Sequence, residues 1–348
     1  MLAVALHVVI GVLPVVGFLA ALLYLDSYKL VTLRLVIAVV ASGLVAAGVC
    51  YAVNGYVFGV AGLDFRLYSR YVGPVIEELA KGLVIVAMIR AHRVGFLVDA
   101  AILGFAAGTG FAIVENVYYQ YLVPDANVGT WIVRGFGTAI MHGGCTAIFA
   151  ILGLSMRERA ARPSLAVFIP GFVVAVVLHS AYNHAFLSPM LSTLGVIVVL
   201  PPLLLAVYQR GERTTANWLA SGFDADTEML ASIMSGHFAD SPAGGYLATL
   251  KSRFHGPIVA DLLCYLRLHA ELALRAKGLL MMRESGFDAS IDEATRAKLT
   301  ELRYLEGTIG ATGQLAVKPL LHAGHKEMWQ LRMLESQAPH GAAPGASR

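Results

Sequence analysis

Seven runs of about twenty mainly apolar residues fill the first 208 positions of this chain, and a bilayer leaves such runs little choice of structure. They are Ala3–Leu25, Leu33–Val60, Val72–Ala91, Phe96–Leu122, Trp131–Leu154, Ser164–Phe186 and Met190–Tyr208. In hydrocarbon each backbone N–H and C=O must find its partner inside the protein, so spanning segments are helices or closed barrels. Continuous apolar runs of this length, without two-residue alternation, are helices. Only 14% of the residues are charged, against about 25% in a soluble domain. The expected fold is an all-α polytopic membrane protein of about seven transmembrane helices, followed by a small helical cytoplasmic domain. The first run lacks a basic segment before it and is too long for the apolar region of a signal peptide, so it reads as a span.

Orientation follows from Lys and Arg in the short connections. Lys29 with Arg34, Arg90 with Arg93, Arg157 with Arg159 and Arg162, and Arg210 with Arg213 follow runs one, three, five and seven, and so lie on one face. The other face has Arg66, Arg70 and, at the entrance to run five, Arg134. The N-terminus is expected outside and the C-terminus in the cytoplasm. The net charge of +3 is small and concerns topology rather than nucleic acid, for which no binding is expected. The three cysteines, Cys50, Cys145 and Cys264, are far apart and read as small apolar residues rather than a disulfide framework.

Composition changes after Tyr208. Residues 209–338 mix acidic and basic side chains and contain no run able to span, while Ile258–Arg283 and Ile291–Glu306 show apolar residues near helical spacing. Asp288–Asp292 supplies helix-start residues ahead of Ala294–Tyr304. The chain therefore divides into a membrane domain, 1–208, a soluble helical domain, 209–338, and an Ala/Gly/Pro-rich end, 339–348, expected to be disordered. No internal repeat or nucleotide-binding loop is present. The glycines of Gly104–Gly110 suit close helix packing.

Ionisable groups interrupt four of the runs. Glu77, Glu78 and Lys81 lie in the third, Glu115 in the fourth, His142 in the fifth, and His179 with Asn183 and His184 in the sixth. Each such group costs roughly 2.5–3.5 kcal/mol at the centre of a membrane helix, so four helices carrying them need a compensating arrangement. With the orientation above, and roughly 1.5 Å of rise per residue, the four sets fall in a slab about a third of the bilayer thick, toward its outer half. Glu77 and Lys81 are four apart and Glu78 and Lys81 three apart, so they share a face, as do His179 and Asn183. Taken singly, each has a plainer reading: Glu77 with Lys81 as a structural ion pair, His142 as a satisfied core histidine, His184 as an interfacial residue, Asp99 and Phe111 as packing. The combination favours a common hydrated pocket.

In chain order these residues form Glu77-Glu78-Leu79-Ala80-Lys81 (EExxK), Phe111-Ala112-Ile113-Val114-Glu115 (FxxxE), His142, and His179-Ser180-Ala181-Tyr182-Asn183 (HxxxN). This order resembles the PrsW family of intramembrane proteases, over roughly residues 70–190, and more distantly the CAAX prenyl protease and bacteriocin-processing group. The last motif departs from the PrsW pattern, which more often ends in an acidic residue. The resemblance implies an integral membrane protein of the bacterial plasma membrane that cuts membrane-bound proteins, anti-sigma factors being the best-known substrates. It also implies a metalloprotease, although a metal-free, glutamate-activated water has been argued for the wider group.

Peptide hydrolysis needs a water, a base and a group that stabilises the oxyanion. Glu77 or Glu78 is the expected base beside Lys81. His142, His179 and Glu115 form a two-nitrogen, one-oxygen set compatible with zinc and an open position. Without metal, His179 and Asn183 could instead donate hydrogen bonds to the oxyanion. The chain has no HExxH helix. A proton- or ion-coupled transporter is the first rival, but transporter halves and paired broken helices are missing from the sequence. A non-catalytic membrane sensor is the second, and it has no need of two adjacent carboxylates facing a histidine pair.

Overall fold

The computed structural model describes residues 2–160, 164–321 and 324–337, and among these every regular element is helical. Arg162 of the third basic cluster and the 339–348 tail lie outside the described residues. The chain forms two units, Met1–Arg213 and Thr214–Arg348.

The first unit begins with α1 (Leu2–Leu25) and α2 (Leu33–Ala61), the latter capped by Thr32 and ended by Gly62 at φ +62°. Helix α3 (Phe65–Leu67) passes through a π-helical turn, Tyr68–Val72, into α4 (Gly73–Arg90). Helix α5 (Leu97–Leu122) follows, with Asp99 accepting from the Gly95 and Phe96 backbone N–H groups at 2.6 Å each. Thus Asp99 serves the helix start. Helix α6 (Val128–Ile132) runs through a second π-helical stretch, Val133–Ala139, into α7 (Ile140–Arg159). Helix α8 (Ile169–His184) ends with Ala185 in the left-handed region, and α9 begins at Pro189.

Among the described residues, six segments are long and apolar enough to cross a membrane: Leu6–Leu25, Leu33–Ala61, Leu97–Leu122, Val128–Arg159, Leu165–His184 and Pro189–Met234. The third expected run is not among them. Helix α4 has only 18 residues and contains Glu77, Glu78, Lys81 and Arg90. Those charges take it below the apolar content of an ordinary span.

Helix α5 is the centre of this unit. Its residues Val98–Ala112 are all buried, whereas α1, α2 and α8 leave Leu13, Val45, Val60 and Val177 exposed. A helix apolar on every side belongs inside a bundle, and its small residues let neighbours close on it. A Cβ on Gly104 would come within 2.7 Å of the Ala147 Cα, so α5 and α7 meet at backbone distance there.

Helix α9 shows where the sequence boundary is misleading. The apolar run ends at Tyr208, yet the helix continues to Met234, with Gly236 at φ +81° just beyond its end. Hydropathy changes at the membrane surface, but helical backbone persists until a residue that leaves it. The division between the units falls within this helix.

The second unit adds α10 (Pro242–Thr249), α11 (Gly256–Glu284), α12 (Glu293–Val317) and α13 (His325–Gln337). Asp292 caps α12 by accepting from the Thr295 N–H at 2.9 Å, as the sequence predicts. Leu262, Leu266 and Leu280 of α11, Leu302 and Ile309 of α12, and Trp329 and Leu334 of α13 are buried. Burial, with a smaller push from Lys277, holds the His269 imidazole down at about 4. An unfolded histidine titrates near 6.5, so the neutral buried ring stabilises the unit fully above that pH. The stabilisation is lost as pH falls from about 6.5 toward 4, at up to roughly 1.4 kcal/mol per pH unit. Hydrogen exchange of α11 amides in the full chain, corrected for intrinsic rates, is expected to quicken across that window. His269→Gln should flatten the dependence.

Candidate active site

Four helices bring their ionisable side chains into one network. From α4, Lys81 Nζ donates to Glu78 Oε1 at 2.5 Å and lies 3.1 Å from Nδ1 of His142 on α7. From α8, His179 Nδ1 lies 2.8 Å from the same Glu78 oxygen. Glu115 of α5 approaches His142 Nε2 at 2.7 Å, and Glu77 Oε2 lies 3.8 Å from His179 Nε2. The two imidazole rings stand edge to face, 4.8 Å between centroids.

The network fixes the tautomers. Lys81, an ammonium, can only donate, so His142 accepts at Nδ1 and carries its proton on Nε2, facing Glu115. Glu78 can only accept, so His179 carries its proton on Nδ1. The His179 Nε2 lone pair is then left facing Glu77. Lys81 is completely inaccessible and Glu78 nearly so, while the Glu77 and Glu115 side chains are 19% and 25% exposed. The two adjacent glutamates therefore differ in kind: Glu78 is sequestered behind the histidines, and Glu77 faces open space.

That space is a cavity of about 960 Å³ walled by α2, α4, α5, α7 and α8. Glu77, Glu115, His142, His179 and Asn183 line it; Glu78 and Lys81 do not. Asn183 Nδ2 is committed to the Ser69 carbonyl, at 2.9 Å, in the π-helical turn before α4. The neighbouring Arg70 carbonyl, whose usual partner four residues on is Pro74 and has no N–H, accepts from Ser180 Oγ at 2.6 Å. Helix α8 thus docks on the backbone groups that the proline leaves open, and this sets the height of Glu77 against His179. His184 is outside the network, bonded to the Ser180 carbonyl. Cys145 is buried against Met141.

Three cavity residues have no role in the sequence reading. Asn54 of α2 donates to Glu77 Oε1 at 3.4 Å, and Tyr68 Oη donates to Asn54 Oδ1 at 2.9 Å. Arg134 Nη2 lies 3.4 Å from Glu115 Oε1. A lone Asn within the second apolar run was the available signal for the first. Arg134 is visible in the sequence as a charge, but there it reads only as topology.

The donor set suits a divalent metal. Glu77, His142 and His179 can each offer one ligand atom, all within 4.8 Å of one another. Tetrahedral zinc donors at 2.0–2.2 Å stand about 3.4 Å apart, a closure within reach of side-chain rotation. Two nitrogens, one carboxylate and a cavity for a fourth position match a hydrolytic centre. Ligation through His142 Nε2 needs the other tautomer, in which Lys81 no longer donates to that ring. Glu78 stands behind His179, where a carboxylate can orient a ligating imidazole.

The sequence profile described as PrsW family intramembrane metalloprotease matches residues 31–207, just over half of the chain, and includes every residue of this network. No curated protein and no solved structure matches the chain.

Proposed function

Because the chain belongs to the PrsW family of intramembrane metalloproteases, it is a membrane-embedded peptidase, and we propose that it hydrolyses a peptide bond of a single-span membrane protein at the cavity walled by α2, α4, α5, α7 and α8. The observation that carries this reading is the meeting of Glu77, His142 and His179 donors within 4.8 Å on that cavity.

In this reading Glu77, His142 and His179 hold the metal, and zinc suits the donor set. A metal bound there would supply Lewis acidity to a water and to a carbonyl. Glu115, the remaining carboxylate on the cavity wall, is the general base. It takes the proton of the attacking water and returns it to the departing amine. Glu78 fixes the His179 tautomer, and Lys81 neutralises Glu78 inside the bundle, where an unpaired carboxylate would be costly. Asn183 and Ser180 hold α8 against the turn before Glu77. This ligand set uses Glu77 where the sequence reading used Glu115.

Helix α4, apolar but for the catalytic charges, crosses as the third of seven spans. In this reading, which the basic connections support, the N-terminus is outside, the second unit is in the cytoplasm and the site is in the outer half of the bilayer. Substrates of anti-sigma-factor type, cut on the extracytoplasmic side, fit that position.

The test is cleavage of a single-span reporter by the purified chain in phospholipid vesicles. Cutting is expected within the outer half of the reporter span or just outside it. Chelation should abolish cleavage, and added zinc should restore it. Protein stripped of metal that still cuts at the native rate would remove the metal from this reading.

A further inference from the structure

We propose that Arg134 is a catalytic residue whose Nη2 holds the carbonyl oxygen of the scissile peptide and the oxyanion formed from it; this rests on the hydrolytic reading above. The residue sits in the π-helical stretch Val133–Ala139, on the same cavity wall as Glu115 and His142. Two contacts, one of them braced from behind, immobilise it. Its Nε donates to Asn116 Oδ1 at 2.8 Å, and Asn116 Nδ2 in turn donates to the Gly11 carbonyl at 2.6 Å. Its guanidinium carbon lies 3.6 Å from the centroid of the Tyr119 ring. Helices α1 and α5 thus clamp one edge of the guanidinium.

The other edge faces Glu115 at ion-pair distance but makes no hydrogen bond. Arg134 is 8% exposed and its Nη2 makes no hydrogen bond, although Glu115 Oε1 lies 3.4 Å away. A buried donor left without an acceptor is costly. A simple counter-ion for Glu115 would need no anchoring and would close on its carboxylate. A guanidinium held on one edge, with a vacant N–H beside the base, is instead a donor set in place for charge that appears during reaction.

The nearby amide and ammonium donors are engaged. Asn183 Nδ2 is bonded to Ser69, Asn54 Nδ2 to Glu77, and Lys81 is sealed behind Glu78 and His142. Among the described residues lining the cavity, Arg134 is the only Lys or Arg.

The step balances. Glu115 accepts a proton from water, the water oxygen bonds to the carbonyl carbon, and the C=O π pair moves onto the oxygen facing Nη2. On collapse that pair reforms the double bond, the C–N bond breaks, and the proton on Glu115 passes to the amine nitrogen. Arg134 gives up no proton; it donates a hydrogen bond that shortens as charge builds.

Steady-state cleavage of the vesicle reporter decides the matter, using wild type, Arg134→Lys, Arg134→Gln and Arg134→Ala, with metal content and thermal unfolding measured alongside. Arg134→Gln is included because alanine also removes the stacking on Tyr119. Loss of the oxyanion donor is expected to lower kcat about 10²–10³-fold, with KM within about threefold and metal content unchanged. Arg134→Lys should retain part of the activity. Millimolar guanidinium should raise the rate of Arg134→Ala but leave Glu115→Gln unaffected. Native kcat in Arg134→Gln overturns the proposal, and so does a loss that guanidinium does not relieve and lysine does not lessen. A wild-type chain that leaves the reporter whole overturns the protease reading instead, and the role of Arg134 with it.

Discussion

Glu115→Gln is expected to lower kcat/KM by about 10²–10⁴ while leaving the metal in place. The glutamine keeps the shape of the side chain and can still meet His142, but it cannot take a proton from water. Glu77→Gln should fail differently. There the carboxylate belongs to the group that holds the metal, so metal content and activity should fall together. Glu78→Gln separates a third role, since its side chain is sealed from the cavity and meets Lys81 and His179. It should weaken metal binding indirectly, by about 10–100-fold, the usual cost of losing a group behind a ligand. Elemental analysis and reporter kinetics on the three purified variants check the assignment. Metal loss in Glu115→Gln with full retention in Glu77→Gln would exchange the two roles, returning Glu115 to the ligand set expected from sequence.

Gly108→Ala should be nearly as damaging, although it adds one methyl group and touches no charge. A Cβ there would clash with the His142 carbonyl oxygen and lie 2.6 Å from the Gly143 Cα. Those atoms are α7 backbone, which cannot turn away as a side-chain end can, so α5 and α7 must separate. Overpacking of this kind costs typically 1–3 kcal/mol. The displacement also falls on the residue that joins the networks of Lys81 and Glu115. The expected result is a lower unfolding temperature together with at least a tenfold fall in kcat, because catalytic geometry tolerates little misplacement. Gly48→Ala is the control, since a Cβ at Gly48 would meet nothing within 4 Å; it lines the cavity wall but should not lower the unfolding temperature. Native kinetics in Gly108→Ala would show that the α5–α7 contact does not set the site.

Several levels of this protein are written in the sequence because each depends on one residue type or one short spacing. Apolar length fixes the helices. Asp292 announces the start of α12, and the small residues of Gly104–Gly110 announce a buried α5. The motif residues themselves, Glu77, Glu78, Lys81, Glu115, His142, His179 and Asn183, were legible from the cost of placing them in lipid and from their matching depth.

What spacing cannot express is which way each side chain turns once four helices meet. Glu77 and Glu78 are neighbours in the chain, yet 100° of helical rotation puts one on the cavity and the other behind the histidines. Asn183 shares a face with His179 but is drawn to the Ser69 carbonyl that the π-helical turn leaves open. Arg134 reads as a topological charge until Asn116, Tyr119 and Gly11, from two other helices, are seen to hold it. The sequence by itself determined that ionisable groups would interrupt long apolar helices at heights where they could meet, because hydropathy and helical rise are local. Tertiary structure alone decided their partners, because rotation, tilt and contact between helices depend on how every neighbouring surface packs.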